Sequence, residues 1–151
     1  PGHQIEWAKL LLQLDQISSE DWHLPRAIHL FDLAMEKGWD DQNGGLVYGY
    51  GPDGHFADAH KYFWVQAEAI ATAWRLYNRT GVQEYRQHYN RLWQWSWDHL
   101  VDHQHGGWYR ITSQKGEWVE PYKSPAGKVD YHTMGACWDI LSVMGKHSLA
   151  F

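Results

Sequence analysis

An all-α chain assembled from repeated helix pairs is what this sequence predicts, and three observations carry that expectation. Five segments place apolar residues at helical spacing. The two longest excursions between them each begin at a glycine pair, Gly44-Gly45 and Gly106-Gly107, 62 positions apart. Each excursion follows one helix and precedes an apolar one, so the repeating unit is an outer helix, a short hairpin and an inner helix. Units of this kind bury their apolar faces by stacking, which yields an α/α solenoid or, when the stack closes on itself, an α/α barrel. Five helices are too few to close a barrel of helix pairs, so an open edge is expected.

The elements follow in order. A helix over 3–16 carries Ile5, Trp7, Ala8, Leu10 to Leu12 and Leu14, a stripe wide enough for burial on most sides. A second is predicted over 20–37, opened by Ser18 or Ser19 and closed by Gly38. A third spans 62–79, closed by Gly81; a fourth spans 83–100 and a fifth 131–146. Between the second and third, GGLVYGYGPDGHFADAH alternates apolar residues around Pro52-Asp53-Gly54 and reads as a hairpin. GGWYRITSQKGEWVE, between the fourth and fifth, reads the same way.

Composition bounds the function. At 151 residues the chain is one domain, 1–151, of a size that buries roughly 68–70% of its unfolded surface. With 44% apolar residues and a net charge of −5, it lacks the basic footprint of nucleic-acid or anionic-membrane binders, so neither partner is expected. No apolar run approaches a membrane span. Cys137, the single cysteine, has no intramolecular disulfide partner, which fits a cytoplasmic setting. The start at Pro1 reads as a piece of something longer, so the lack of a leader carries no weight. Eleven Trp, nine Tyr and 11 His stand out. Aromatic faces stack on sugar rings, but they also fill cores, and core filling is the default for any one of them.

In a stack of repeats all inner helices run the same way, so their first turns gather at one end. That places together His3 and Glu6; Lys61, Trp64, Gln66 and Glu68; and Asp130, Tyr131 and His132. A polar, aromatic set at the starts of apolar helices is a candidate site. The positive end of a helix disfavours imidazolium, so His3 and His132 are expected to be neutral at pH 7 and able to act as bases. Glu6 stands three residues after His3 and is placed to orient its ring; Asp130 is placed to cap the helix of His132. Taken singly, each histidine also fits a plain capping role. Other sets are weaker. His99, His103 and His105 lack an accompanying carboxylate motif and read as a solvated helix end, so no metal is expected. Trp93, Trp95 and Trp97 fall on different helical faces and read as packing between layers. In SPAGK, which reads as a turn, Lys128 is placed to touch a substrate anion.

The stretches GHQIEWAKLLLQL, KGWDDQNGGLVYGY, HKYFWVQAEAIATAWRLYNRTG, DHLVDHQHGGWYR and AGKVDYHTMGACWDIL, in this order, resemble the C-terminal part of the N-acylglucosamine 2-epimerase superfamily. The resemblance covers nearly the whole chain. It implies an (α/α)6 barrel, of which this chain is about half, and isomerisation or epimerisation of free sugars at C1 and C2 with no metal or redox cofactor. The last helix looks more like the mannose and sulfoquinovose aldose–ketose isomerases than the epimerases. Carried over, the catalytic histidines fall on His3 and His132 and the following glutamate on Glu6, while Trp64, Gln66 and Glu68 fall in the sugar site.

The chemistry so implied is removal of the C2 proton of a ring-opened monosaccharide by His132, giving a cis-enediol(ate), and its return to C1, with His3 assisting ring opening. In a 2-epimerase His3 would return the proton to the opposite face of C2. A glycoside hydrolase drawing on Glu6, Glu68 and Asp130 is a rival class, and a carbohydrate-binding fragment without catalysis is another. The N-terminal half, which supplies further sugar contacts in the family, has no counterpart here. The open apolar edge makes a homo-oligomer an expectation too.

Overall fold

A computed structural model of the chain describes residues 1–123 and 131–147, with side chains described as far as Met144. Asp130 and Lys128 lie outside the described residues. The elements are α1 (Gly2–Ile17), α2 (His23–Gly38), β1 (Gly49–Tyr50), β2 (Phe56–Asp58), β3 (Lys61–Tyr62), α3 (Phe63–Thr80), α4 (Gln83–His99), β4 (Ile111–Thr112) and α5 (Tyr131–His147). All five expected helices form. Inner helices α1, α3 and α5 pack side by side, with α2 outside α1 and α4 outside α3. The main core lies between the layers, where Ile5, Phe31, Leu46, Val65, Ile70, Leu76 and Leu92 are fully buried.

Helix ends show where local chemistry decided. α3 stops as expected at Gly81, whose φ of 73° lets its N–H turn back to the Tyr77 carbonyl at 2.7 Å. α2 starts later than expected. Neither serine caps it: the Ser19 hydroxyl donates to Asp15 in the preceding helix at 2.8 Å, the His23 N–H closes a turn on the Glu20 carbonyl, and Trp22 stands at the helix start without a side-chain cap.

The first hairpin forms as expected, with Gly49 opposite Asp58 and Tyr50 opposite Phe56 across the Pro52-Asp53-Gly54 turn. The second folds back through an isolated Thr112–Trp118 bridge, but its main partner comes from the other repeat: β4 pairs with β3, Lys61 opposite Thr112 and Tyr62 opposite Ile111. The sheet thus stitches one repeat to the next, just ahead of α3.

The glycine pairs are structurally equivalent. All four glycines have φ between 69° and 77°. Before each pair, an aspartate accepts two successive backbone N–H groups: Asp40 from Gln42 and Asn43, Asp102 from Gln104 and His105. Each aspartate also pairs with a lysine at the far end of its hairpin, Lys61 at 3.0 Å and Lys123 at 2.8 Å. Burial works to raise the Asp40 carboxyl, but hydrogen bonds from Asn43 and Lys61 overcome it and hold the group down at about 2. Asp102 is held well below the usual carboxylate range by Lys123 and the His105 N–H.

Trp95 explains why the first pair must be glycine. Its indole N–H donates to the Asn43 carbonyl at 3.0 Å, and a Cβ on Gly44 would stand 2.6 Å from the ring. The expectation of three tryptophans on three faces is corrected: Trp93 and Trp97, four residues apart, share a face with ring centroids 6.1 Å apart, and Trp97 is exposed instead of filling the interlayer space.

A polar row runs down the inner layer. Residues 64, 68, 72 and 75 share one face of α3, and 132, 136 and 139 one face of α5. At its lower end the Arg75 guanidinium grips Asp139 with two bonds of 3.0 and 2.7 Å, both side chains being almost fully buried, and the Gln13 amide of α1 donates to the same carboxylate at 3.2 Å. Thr72 donates to the Ile5 carbonyl at 3.3 Å. The outward faces of the two end helices stay uncovered, with Trp7 61% and Trp138 74% exposed. No helix among the described residues is long and apolar enough to cross a membrane.

Candidate active site

Trp64 is the centre of the upper end. It sits in the first turn of α3 and lies flat against Gly2, where a Cβ would come within 2.3 Å of the indole. That contact accounts for a glycine in the first turn of α1, since any side chain would displace the ring. The imidazoles of His3 and His132 both rest on this indole, with ring centroids at 5.2 and 5.4 Å. The convergence expected from parallel inner helices is therefore present: one histidine comes from α1 and one from α5, and both rings contact an indole from α3. Tyr48, from the first hairpin, meets the edge of Trp64 at 6.3 Å and extends the aromatic wall. His3 is exposed and also borders a cleft of about 400 Å³ with Gln4, Trp7, Trp22 and Arg26.

His132 is anchored. Its Nδ1 lies 2.7 Å from Oε1 of Glu68, which is fully buried. A carboxylate only accepts, so in the neutral imidazole this bond places the hydrogen on Nδ1 and the lone pair on Nε2. The other Glu68 oxygen pairs with the Lys9 ammonium at 2.5 Å, and the Lys9 side chain is only 8% exposed. Lys9, Glu68 and His132 thus form a buried chain across all three inner helices. Glu6, one turn above Lys9, joins them: Glu6, Glu68 and His132 each bring a ligand-type atom within 4.8 Å of the others. Such a cluster has the spacing of a cation site, yet both Glu68 oxygens are already engaged, one by an ammonium that would repel an incoming metal. The arrangement is suited to handling protons.

Other expectations need correction. Gln66 is buried with its amide consumed, Oε1 accepting the Leu46 N–H at 2.9 Å and Nε2 donating to the Leu46 carbonyl at 2.7 Å. It clamps the strand that follows the glycine pair and has no face for a sugar. Helical geometry is the reason: 64 and 68 lie on one side of α3 and 66 on the other. Lys61 is also closed off, bound to Asp40 and the Gln114 carbonyl, with burial drawing its ammonium below the usual lysine range. Among the described residues no hydrogen bond joins Glu6 to His3; Glu6 belongs with Glu68 and His132. Tyr131 is largely exposed, its ring edge against His132 at 4.5 Å. The rings of His99 and His103 go to different partners, Trp95 and Trp97. Lys9 escaped notice, although a lysine inside an apolar stripe is a signal.

Fold and site together define a helical-barrel protein with a paired-imidazole centre at one end of its inner helices. The chain belongs to the N-acylglucosamine 2-epimerase (GlcNAc 2-epimerase) family, whose model matches residues 1–136. It is 56% identical over 144 residues to a D-mannose isomerase of Marinomonas mediterranea, covering 95% of this chain and 36% of that protein. A crystal structure of D-mannose isomerase superposes with a TM-score of 0.92 at 56% identity, over 94% of this chain and 36% of the other. The cellobiose 2-epimerase of Bacillus thermoamylovorans B4167 superposes with a TM-score of 0.80 at 16% identity, a likeness of fold. The chain spans about a third of the length of the curated relatives it matches, and its five helices form part of an (α/α)6 barrel.

Proposed function

We propose that the whole protein is an aldose–ketose isomerase converting a mannose-type hexose to its ketose, with His132 as the base. The observation that carries this reading is the placement of both imidazoles on one indole, with His132 fixed by Glu68 so that Nε2 is the free nitrogen. The 56% identical relative named D-mannose isomerase supports the substrate class.

In this mechanism Trp64 gives the ring-opened sugar an apolar wall. The C2–H bond breaks as its proton goes to Nε2; the electron pair forms the C1–C2 double bond of a cis-enediolate. The same imidazolium returns a proton to C1 as the C2 hydroxyl gives up its proton and becomes the carbonyl, and the C1 oxygen, left negative in the first step, takes a proton in its place. His3, exposed beside the same indole, moves protons at the oxygens, in ring opening and between O2 and O1. Glu68 steadies the imidazolium and Glu6 holds a hydroxyl. A hydrolase is disfavoured because it needs a carboxylic acid and a carboxylate at the glycosidic bond, and Glu68 is enclosed between Lys9 and His132.

The test is turnover of mannose in deuterium oxide by the whole protein. Fructose as the product, with deuterium at C1 only as far as the imidazolium exchanges with solvent, supports the isomerase, whereas glucose deuterated at C2 would make His3 a second carbon base and the enzyme an epimerase. His132→Asn is expected to lower kcat by about 10²- to 10⁴-fold, the usual worth of a general base; retained turnover would overturn the assignment.

A further inference from the structure

We propose that Lys9 is a positioning residue for His132, acting through Glu68: its ammonium holds Glu68 as an oriented carboxylate and offsets its charge, so that the imidazole is held by its Nδ1–H yet stays unprotonated on Nε2. The inference rests on the isomerase reading for its catalytic meaning, but its structural content is independent. Lys9 and Glu68 are both buried, on different inner helices, and meet at 2.5 Å; Glu68 meets His132 at 2.7 Å. No water-facing role explains a lysine there, because neither end of the pair reaches solvent.

The charges facing His132 show what the ammonium does. From α3 comes Glu68; from α1 come Glu6, Lys9 and, across Trp64, His3; its own helix contributes Tyr131. Remove Lys9 and two carboxylates remain beside the imidazole with no cation among the groups named. A buried carboxylate without its partner is strongly penalised, and the cheapest relief is an extra proton on the Glu68–His132 pair. That proton would occupy the base. A lysine whose only task is packing has no such consequence.

The experiment compares Lys9→Met, Lys9→Gln and Lys9→Arg in the full chain. Ring ¹⁵N spectra of His132 read its protonation directly, and pH–rate profiles in the whole protein read the consequence. In Lys9→Met and Lys9→Gln the imidazolium fraction at pH 7 is expected to rise. The acid limb of the rate profile is expected to move up by about 1 to 3 pH units, the effect of a neighbouring charge at this range. kcat falls more than tenfold at pH 7 while KM changes little, activity returns at higher pH, and Lys9→Arg restores most of it. Lys9→Gln keeps a hydrogen-bond donor for Glu68 and guards against a Met variant that fails to fold. A folded Gln variant whose His132 spectrum and acid limb match the parent would overturn the proposal. If the spectra respond as expected but mannose gives no fructose, the isomerase reading falls while the role of Lys9 stands.

Discussion

Gly2 and Trp64 show how little room the site leaves. Gly2→Ala would drive a methyl into the indole, so the ring must tilt and both histidines lose their support. The expected result is a loss of about 1–3 kcal/mol in urea unfolding, typical of overpacking, with a drop in kcat/KM of about tenfold or more. An unchanged kcat/KM would mean the indole does not set the histidines. At this scale much was legible. His3, His132 and Trp64 were placed together by the direction of the inner helices alone, and a shared ring now joins them. Gln66 was misplaced because it was read by its nearness in sequence to Trp64 and Glu68, when a rotation of 200° from each puts it on the opposite face. Lys9 is not legible from periodicity, because it sits within a leucine-rich stripe whose spacing marks burial and says nothing of a charge buried with it.

The end of α3 was foreseen at Gly81, whereas Gly38, expected to close α2, is its last helical residue with Trp39 as the cap, and long-range pairing was least legible. The second hairpin has the right alternation, but nothing in its residues says that β4 would join β3 from the other repeat. The serine caps failed because Asp15 competes for the Ser19 hydroxyl. Between outer helices α2 and α4, His88 offers a test of packing. Its ring lies against Phe31, and burial pulls its imidazole down to about 4, with Arg91 adding to the effect. The unfolded chain takes up a proton near 6.5 while the folded one resists until about 4. Stability is therefore full above pH 6.5 and lost as pH falls from there toward 4. His88→Leu is expected to remove about 3 kcal/mol of that acid dependence in urea titrations at pH 7 and pH 4. An unaltered slope would place the ring in water.

Across the whole molecule, the polar row of the inner layer sets the relation of α1, α3 and α5. Arg75→Met strands a buried Asp139 and is expected to cost about 3–5 kcal/mol, whereas the double variant Arg75→Met, Asp139→Leu recovers much of this; urea midpoints of the two distinguish a stranded charge from lost packing. Repeat architecture was legible at this scale because the glycine pairs recur 62 positions apart, each between an outer and an inner helix. What covers the outward faces of α1 and α5 was not, since a third of the relatives' length holds no information about the rest. The two imidazoles on Trp64 have a kinetic corollary. Groups from α1 and α5, 129 positions apart in sequence, meet on a residue of α3 that lies between them in the chain, so competence waits for a long-range closure. Secondary structure can form early and locally, but the chemistry switches on only once α1, α3 and α5 have docked, which makes turnover a reporter of inner-layer assembly.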